Sequence, residues 1–378
     1  MKLIGLLPYI LILICAVFSS YFAKKNKGIL YLFTIYLSIF TSFSGTVSPD
    51  RERYALDYIN KNYVYEPMFT FISNILHLLN LNGYYLFLVF SFFTFLFTIL
   101  TINRIEKIFN TNYYFIFFSY LFYIVMPGMY FGQFITIRQC LAISILSYAI
   151  LLYLTNIKYK KIVSIILFIV GFITHYSSIL YFIIFIFIAK ILKNQLSNLI
   201  YYSLFILSLL TIIFPLFKNI VINNMLYLFN NNKYFTKYIY YVLVTSEFNL
   251  NDTISIIIKN TFFILIIFLQ LIYKIHLKNE KEKNIYNILF NLSFIGLLLR
   301  NVLAFNPSFM RITNYFTFFS FITFSLWISK NICTITVKNI NDIIIKQKLI
   351  EKYFIIYFVF ILIIFLYFYN IFLFVGET

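Results

Sequence analysis

FITIRQCLAISILSYAILLYL, residues 134–154, is a membrane-length apolar run with one charge in it, Arg138. Between Lys107 and Lys158 no other side chain is charged. A guanidinium cannot shed its proton to escape an apolar setting. Placed near a helix centre in a bilayer it costs roughly 2.5–3.5 kcal/mol on insertion scales. Arg138 must therefore face protein, a watery cavity or an anion, or snorkel to the headgroups. Ala142 and Ala149 continue its helix face, and small residues there let a neighbouring helix come close. That favours a side chain pointing into the bundle.

Similar runs recur from end to end. The chain has 378 residues, 62% of them hydrophobic and 11% charged, against about 25% charged in soluble domains. The reading is an all-α, polytopic transmembrane helical bundle, a single integral membrane domain over 1–378. About twelve spans are expected, near 3–23, 29–44, 84–102, 113–127, 134–154, 162–175, 177–192, 198–217, 254–273, 285–303, 311–330 and 352–374. Several are short of the ~20 residues a crossing needs, so bilayer thinning or burial within the bundle must make up the difference.

With both termini outside, the loops at 24–28, 103–112, 155–161, 190–197, 274–284 and 330–352 face the cytoplasm. They carry nineteen of the thirty Lys and Arg, and the outer segments carry eight. That is the positive-inside bias. The apolar stretch 162–189 is ambiguous. As one helix it would be about 42 Å long, more than the hydrocarbon core requires. Both its flanks are Lys-rich, so it reads as a hairpin with His175 at the outer turn. Residues 1–20 have the look of a signal peptide, but Lys24-Lys25-Asn26-Lys27 suits a retained first span. Two outer loops, 45–66 and 218–253, are long. A short interfacial helix is expected near 67–80, opening at Pro67, where proline suits a first helical turn.

The net charge of +18 raises nucleic acid as a partner. Its distribution argues for none, because the lysines lie mostly in short loops between apolar spans. The 50 Phe and 34 Tyr are read as lipid-facing filler rather than sugar platforms. Cys15, Cys140 and Cys333 are far apart, as are His77, His175 and His276, so no disulfide framework or metal spacing is visible. No cofactor is expected.

Four of the twelve carboxylates crowd one outer loop: Asp50, Glu52, Asp57 and Glu66. Such a cluster is commonly a solvated face of mutually paired charges. The same side of the membrane also holds Arg51, Arg53, Arg138, Arg300, Arg311 and His175, whereas Arg104 is the sole cytoplasmic Arg. Arg300 and Arg311 bracket the turn Asn301–Pro307, and Lys259 reads as a snorkelling residue. Arg binds phosphate bidentately better than Lys does. An outward-opening site for an anionic, phosphate-bearing lipid follows. Asp50, Glu66 or His175 would accept a hydroxyl proton there.

In Pro49-Asp50 with Tyr54 and Tyr58, then Glu66-Pro67-Met68-Phe69, Ile137-Arg138-Gln139, His175-Tyr176-Ser177 and Arg311 ahead of Tyr315-Phe316, the chain resembles the EpsG-like branch of the Wzy-type polysaccharide polymerases. Cys140 departs from the small residue usual there, and the second half matches only at Arg311. The resemblance implies a multi-pass protein of the bacterial cytoplasmic membrane that builds capsule, O-antigen or exopolysaccharide. Its substrate would be an oligosaccharide repeat on a polyprenyl (undecaprenyl) diphosphate. Membrane lipids, a flippase and a chain-length regulator are the implied partners. Catalytic candidates are Asp50, Glu66 and His175; substrate-binding candidates are Arg138, Gln139, Arg311, Arg300, Arg51 and Arg53. The rival readings are a transporter or flippase of lipid-linked saccharide, and another outer-face glycosyltransferase or acyltransferase. A transporter would favour repeat symmetry and midplane breaks, and neither is evident in the sequence.

Overall fold

A computed structural model describes residues 7–22, 26–43, 48–62, 65–111, 113–126, 128–155, 158–191, 193–213, 250–272, 279–304 and 307–332, with isolated positions at 275, 277, 361, 364–365 and 368. Among the described residues there are thirteen α-helices and no strand. In order they are α1 (Leu7–Phe22), α2 (Gly28–Phe43), α3 (Pro49–Ile59), α4 (Pro67–Leu78), α5 (Gly83–Phe109), α6 (Tyr113–Val125), α7 (Ile137–Leu154), α8 (Lys158–Thr174), α9 (Ser178–Ile191), α10 (Asn198–Ile213), α11 (Leu250–Ile272), α12 (Glu280–Val302) and α13 (Pro307–Trp327). Helices suit such a composition because they satisfy every internal backbone group without water.

Three of them, α5, α7 and α12, are long and apolar enough to cross a membrane. Most of the other expected spans correspond to shorter helices, such as α6 at 13 residues. The span expected at 352–374 lies almost wholly outside the described residues. So does the loop expected at 218–253, up to the start of α11 at Leu250. His276, Cys333 and the side chain of Lys259 also fall outside them.

Two differences from the sequence reading matter. The loop read at 45–66 carries α3. Ser48 caps it by accepting a bond from the Arg51 amide at 3.2 Å, and Pro49 opens its first turn. The second concerns α7, which begins at Ile137 rather than 134, because Phe131–Phe134 form a 3-10 turn. Arg138 therefore stands in the first turn of its helix, where the backbone dipole disfavours a cation.

The chain divides into two compact units. The first comprises Met1–Ile186, Ile275–Glu282 and Phe321–Thr378. In it α7 packs between α5 and α8, α2 lies on α5, and α3 and α4 sit against α5. Ala142 and Ala149 are fully buried. Ser164 of α8 donates to the Ala149 carbonyl at 2.7 Å, so the small-residue face of α7 does admit a close neighbour. Gly171 serves the same contact, since a Cβ there would lie 2.8 Å from Leu146. The chain reverses at 175–177. Phe168 and Phe182 pack with ring centroids 4.6 Å apart and planes tilted by 52°, as only a hairpin permits. Buried hydroxyls such as Thr34, Thr94 and Ser147 bond carbonyls one turn back, which satisfies them without water.

The second unit comprises Phe187–Lys274 and Lys283–Ser320. Tyr201 of α10 bonds Asn291 of α12 and packs edge-on to Phe294 at 4.9 Å. Gly296 allows α12 and α13 to touch, with an added Cβ 2.8 Å from Phe316 and Thr317.

Candidate functional site

The site grows from α3, which is held at several points. Ser48 donates to the Phe134 carbonyl at 3.0 Å. Tyr58 donates to the Leu81 carbonyl at 2.7 Å and stacks on His77 at 4.1 Å. Arg51 is 1% exposed; its Nη2 donates to the Thr41 and Ser42 carbonyls at 2.6 and 2.8 Å, and Phe87 lies 4.2 Å from its guanidinium. Those carbonyls end α2, where a cation satisfies both acceptors and dipole. Arg51, a substrate-binding candidate in the sequence, fastens α3 to α2. Tyr54, Tyr58, Phe69, Phe87, Phe90, Ile137 and Leu141 form the apolar floor beneath the site.

On that floor three distant residues meet. Glu66 caps the N-terminus of α4, where the helix dipole favours a carboxylate. Its Oε2 pairs with Nη1 of Arg138, and its Oε1 lies 3.0 Å from Nδ1 of His175. The Arg138 and Glu66 side chains are 14% and 8% exposed. Arg138 Nη2 also donates to the Tyr54 hydroxyl at 3.1 Å. The rings of Tyr65, Tyr54 and Phe69 surround the guanidinium at 4.4, 4.9 and 5.7 Å. Its Nε–H is buried and meets no acceptor among the described residues.

The electrostatics favour an anion. One guanidinium and the N-termini of α4 and α7, each worth roughly half a positive charge, face the carboxylate of Glu66, with Asp57 bonded to Tyr65 and the C-terminus of α8 on the negative side. His175 follows the C-terminus of α8, bonding back to the Gly171 carbonyl at 3.1 Å. Glu66 Oε1 faces Nδ1 at ion-pair distance, without the alignment of a hydrogen bond.

Asp50 is half-buried in the first turn of α3, on the Tyr54 face and one turn before it. Arg53 is mostly exposed and pairs with Asp57 at 3.6 Å along α3, so it joins the solvated charges rather than the centre. Gln139 is buried in α7, about 100° around the helix from Arg138. Arg300 and Arg311 belong to the second unit. Arg311 is half-buried early in α13, and Arg300 bonds Asn260 and Asn314.

Sequence reasoning missed the cage of Tyr54, Tyr65 and Phe69. The signal was the aromatic pair at 65 and 69 flanking Glu66. Tyr65 also bonds Asp57, and burial together with that bond raises its phenol well above the ordinary value. Among the described residues no group of three or more His, Cys, Asp or Glu stands close enough to hold a metal ion. Glu66 and His175 would supply two ligands at most.

The comparisons with known proteins bear on this geometry. A family model described as the EpsG family matches residues 29–374, nearly the whole chain. No curated protein and no solved structure matches it.

Proposed function

The chain belongs to the EpsG family, whose members are Wzy-type polymerase-like proteins of polysaccharide biosynthesis, and from that premise we propose that it is the polymerase itself. It joins oligosaccharide repeats carried on polyprenyl diphosphate at the outer face of the bacterial cytoplasmic membrane, as a multi-pass glycosyltransferase. The acceptor hydroxyl attacks the anomeric carbon of the donor chain. The bond from that carbon to the diphosphate breaks, and the lipid diphosphate leaves as an anion.

The observation that carries this reading is the meeting of Arg138, Glu66 and His175 inside an aromatic cage. His175 is the base, taking the hydroxyl proton at Nε2. Glu66 faces Nδ1, favouring the tautomer that carries its proton there, and neutralises Arg138. The buried Nε–H of Arg138 and the N-terminus of α7 stabilise charge developing on the leaving diphosphate. Tyr54 and Tyr65 offer ring faces and hydroxyls to a sugar. Asp50, one turn along α3, is placed to bond a sugar hydroxyl rather than to act as base.

The test is chain extension in a strain carrying Arg138→Ala. Lipid-linked single repeats should still reach the outer face while the polysaccharide ladder disappears. Accumulation of single repeats on the inner face would instead favour the flippase reading.

A further inference from the structure

The second unit contains a buried cation of a different kind. Arg300, in the last turn of α12, is 4% exposed. Its Nε donates to Asn260 Oδ1 at 2.7 Å, its Nη1 lies 3.4 Å from Asn314 Oδ1, and Phe263 lies 4.9 Å from its guanidinium. Asn260 in turn donates to Asn301 Oδ1 at 2.9 Å, and Asn301 donates to Ser208 Oγ at 2.9 Å. Four helices, α10 to α13, thus contribute to one network around the guanidinium, and every polar partner among the described residues is neutral. Among the described side chains of this unit there is no carboxylate.

The contrast with Arg138 is physical. Arg138 is neutralised by Glu66, whereas the described partners of Arg300 are neutral amides. Burying an ion without a counter-ion costs several kcal/mol after relaxation. The C-terminal dipole of α12 returns only about 0.3–1 kcal/mol, at most ~2 in a buried setting. Neutral amides solvate a cation but do not neutralise it. The same amides carry N–H groups able to donate to an anion's oxygens.

We propose that Arg300, with Asn260, Asn301 and Asn314 around it, is a binding site for a phosphate-type anion, drawn from a lipid headgroup or from free phosphate. Arg300 is already a substrate-binding candidate in the sequence; the anion site follows from the Asn ring and does not rest on the Arg138 centre.

The experiment uses the full chain in phosphatidylcholine nanodiscs and follows thermal unfolding. One arm titrates inorganic pyrophosphate, and a second replaces part of the lipid with polyprenyl diphosphate. A ligand that binds only the folded protein raises Tm with concentration. The decisive variant is Asn314→Asp, which sets a carboxylate beside Arg300 with almost no change of shape. It should fold as well as the parent and bind the anion at least about tenfold more weakly, since its own charge now occupies the guanidinium. Arg138→Gln should keep the response. A rise with pyrophosphate alone assigns free phosphate, and a rise with the lipid alone assigns a headgroup. No rise in either arm, or an Asn314→Asp variant that responds like the parent, overturns the proposal.

Discussion

Replacing Glu66 with Gln probes the centre most directly, because the substitution keeps volume and changes only charge and proton placement. Two effects follow. The first is on stability. Removing one partner of a buried ion pair costs about 3–5 kcal/mol. Here Arg138 retains slight solvent access, its bond to Tyr54 and three aromatic rings within 5.7 Å. Cation–π contacts contribute about 0.5–2 kcal/mol, and the Gln carbonyl still accepts from Nη1. The net loss should be about 1–3 kcal/mol, a fall of several degrees in Tm at roughly 2–4 °C per kcal/mol. The second effect is on chemistry. With its carbonyl turned to Arg138, the Gln amide must donate to Nδ1 of His175. That moves the ring proton to Nε2 and removes the base. General-base catalysis contributes about 10²–10⁴-fold, so chain extension should fall by that factor while the protein stays folded. The assay is polymerisation of lipid-linked repeats in proteoliposomes, read as a ladder on a gel, beside a melting curve of the same preparation. A variant that melts several degrees lower yet extends chains within about threefold of the parent rate would refute the role given to the Glu66–His175 contact.

Arg138→Lys should lose much of the extension activity, by about tenfold or more, because a point charge cannot hold Glu66 and Tyr54 at once as the planar fork does; initial rates in the same proteoliposomes check this. Arg51→Ala should leave the α2 carbonyls unmet and a buried void, costing about 3–5 kcal/mol. It should appear as a large drop in Tm and in membrane yield, whereas Arg53→Ala should shift Tm little, since exposed pairs contribute about 0–1 kcal/mol. Gly296→Val should drive a side chain into Phe316 and Thr317 and destabilise by about 1–3 kcal/mol, measured by thermal unfolding in detergent.

Much of the all-helical fold was legible because apolar runs and Lys-rich loops report directly on a bilayer solvent. The hairpin at His175 was legible from the length of its apolar stretch and the Lys-rich flanks at both ends. The helix α3 was hidden by its charge, yet its start signals were present: Ser48, then Pro49, then two acids in the first turn. Its buried residues Arg51, Tyr54 and Tyr58 also recur at helical spacing. The anchoring of Arg51 was not legible, because it bonds backbone carbonyls that no side-chain pattern announces. In the centre, Arg138, Glu66 and His175 could each be singled out by type and position. That Glu66 touches both of the others could not, because two oxygens of one carboxylate look the same in a sequence whatever they face. The ring of Asn around Arg300 comes from helices far apart in the chain, and lone Asn residues in apolar runs carry no spacing to read.

The Glu66–Arg138 pair spans 72 residues of chain, which makes the centre a late product of synthesis. At about 5–20 residues per second, Glu66 leaves the ribosome roughly 4–14 s before its cation does, and His175 follows later still. During that interval α3 and α4 have only α2 and the nascent α5 to hold them. The carboxylate can find its guanidinium only after α7 has inserted in the correct direction. Closure of the pair is thus a check on the order and orientation of insertion. A chain stalled or inverted before α7 would be left with an unmatched acid.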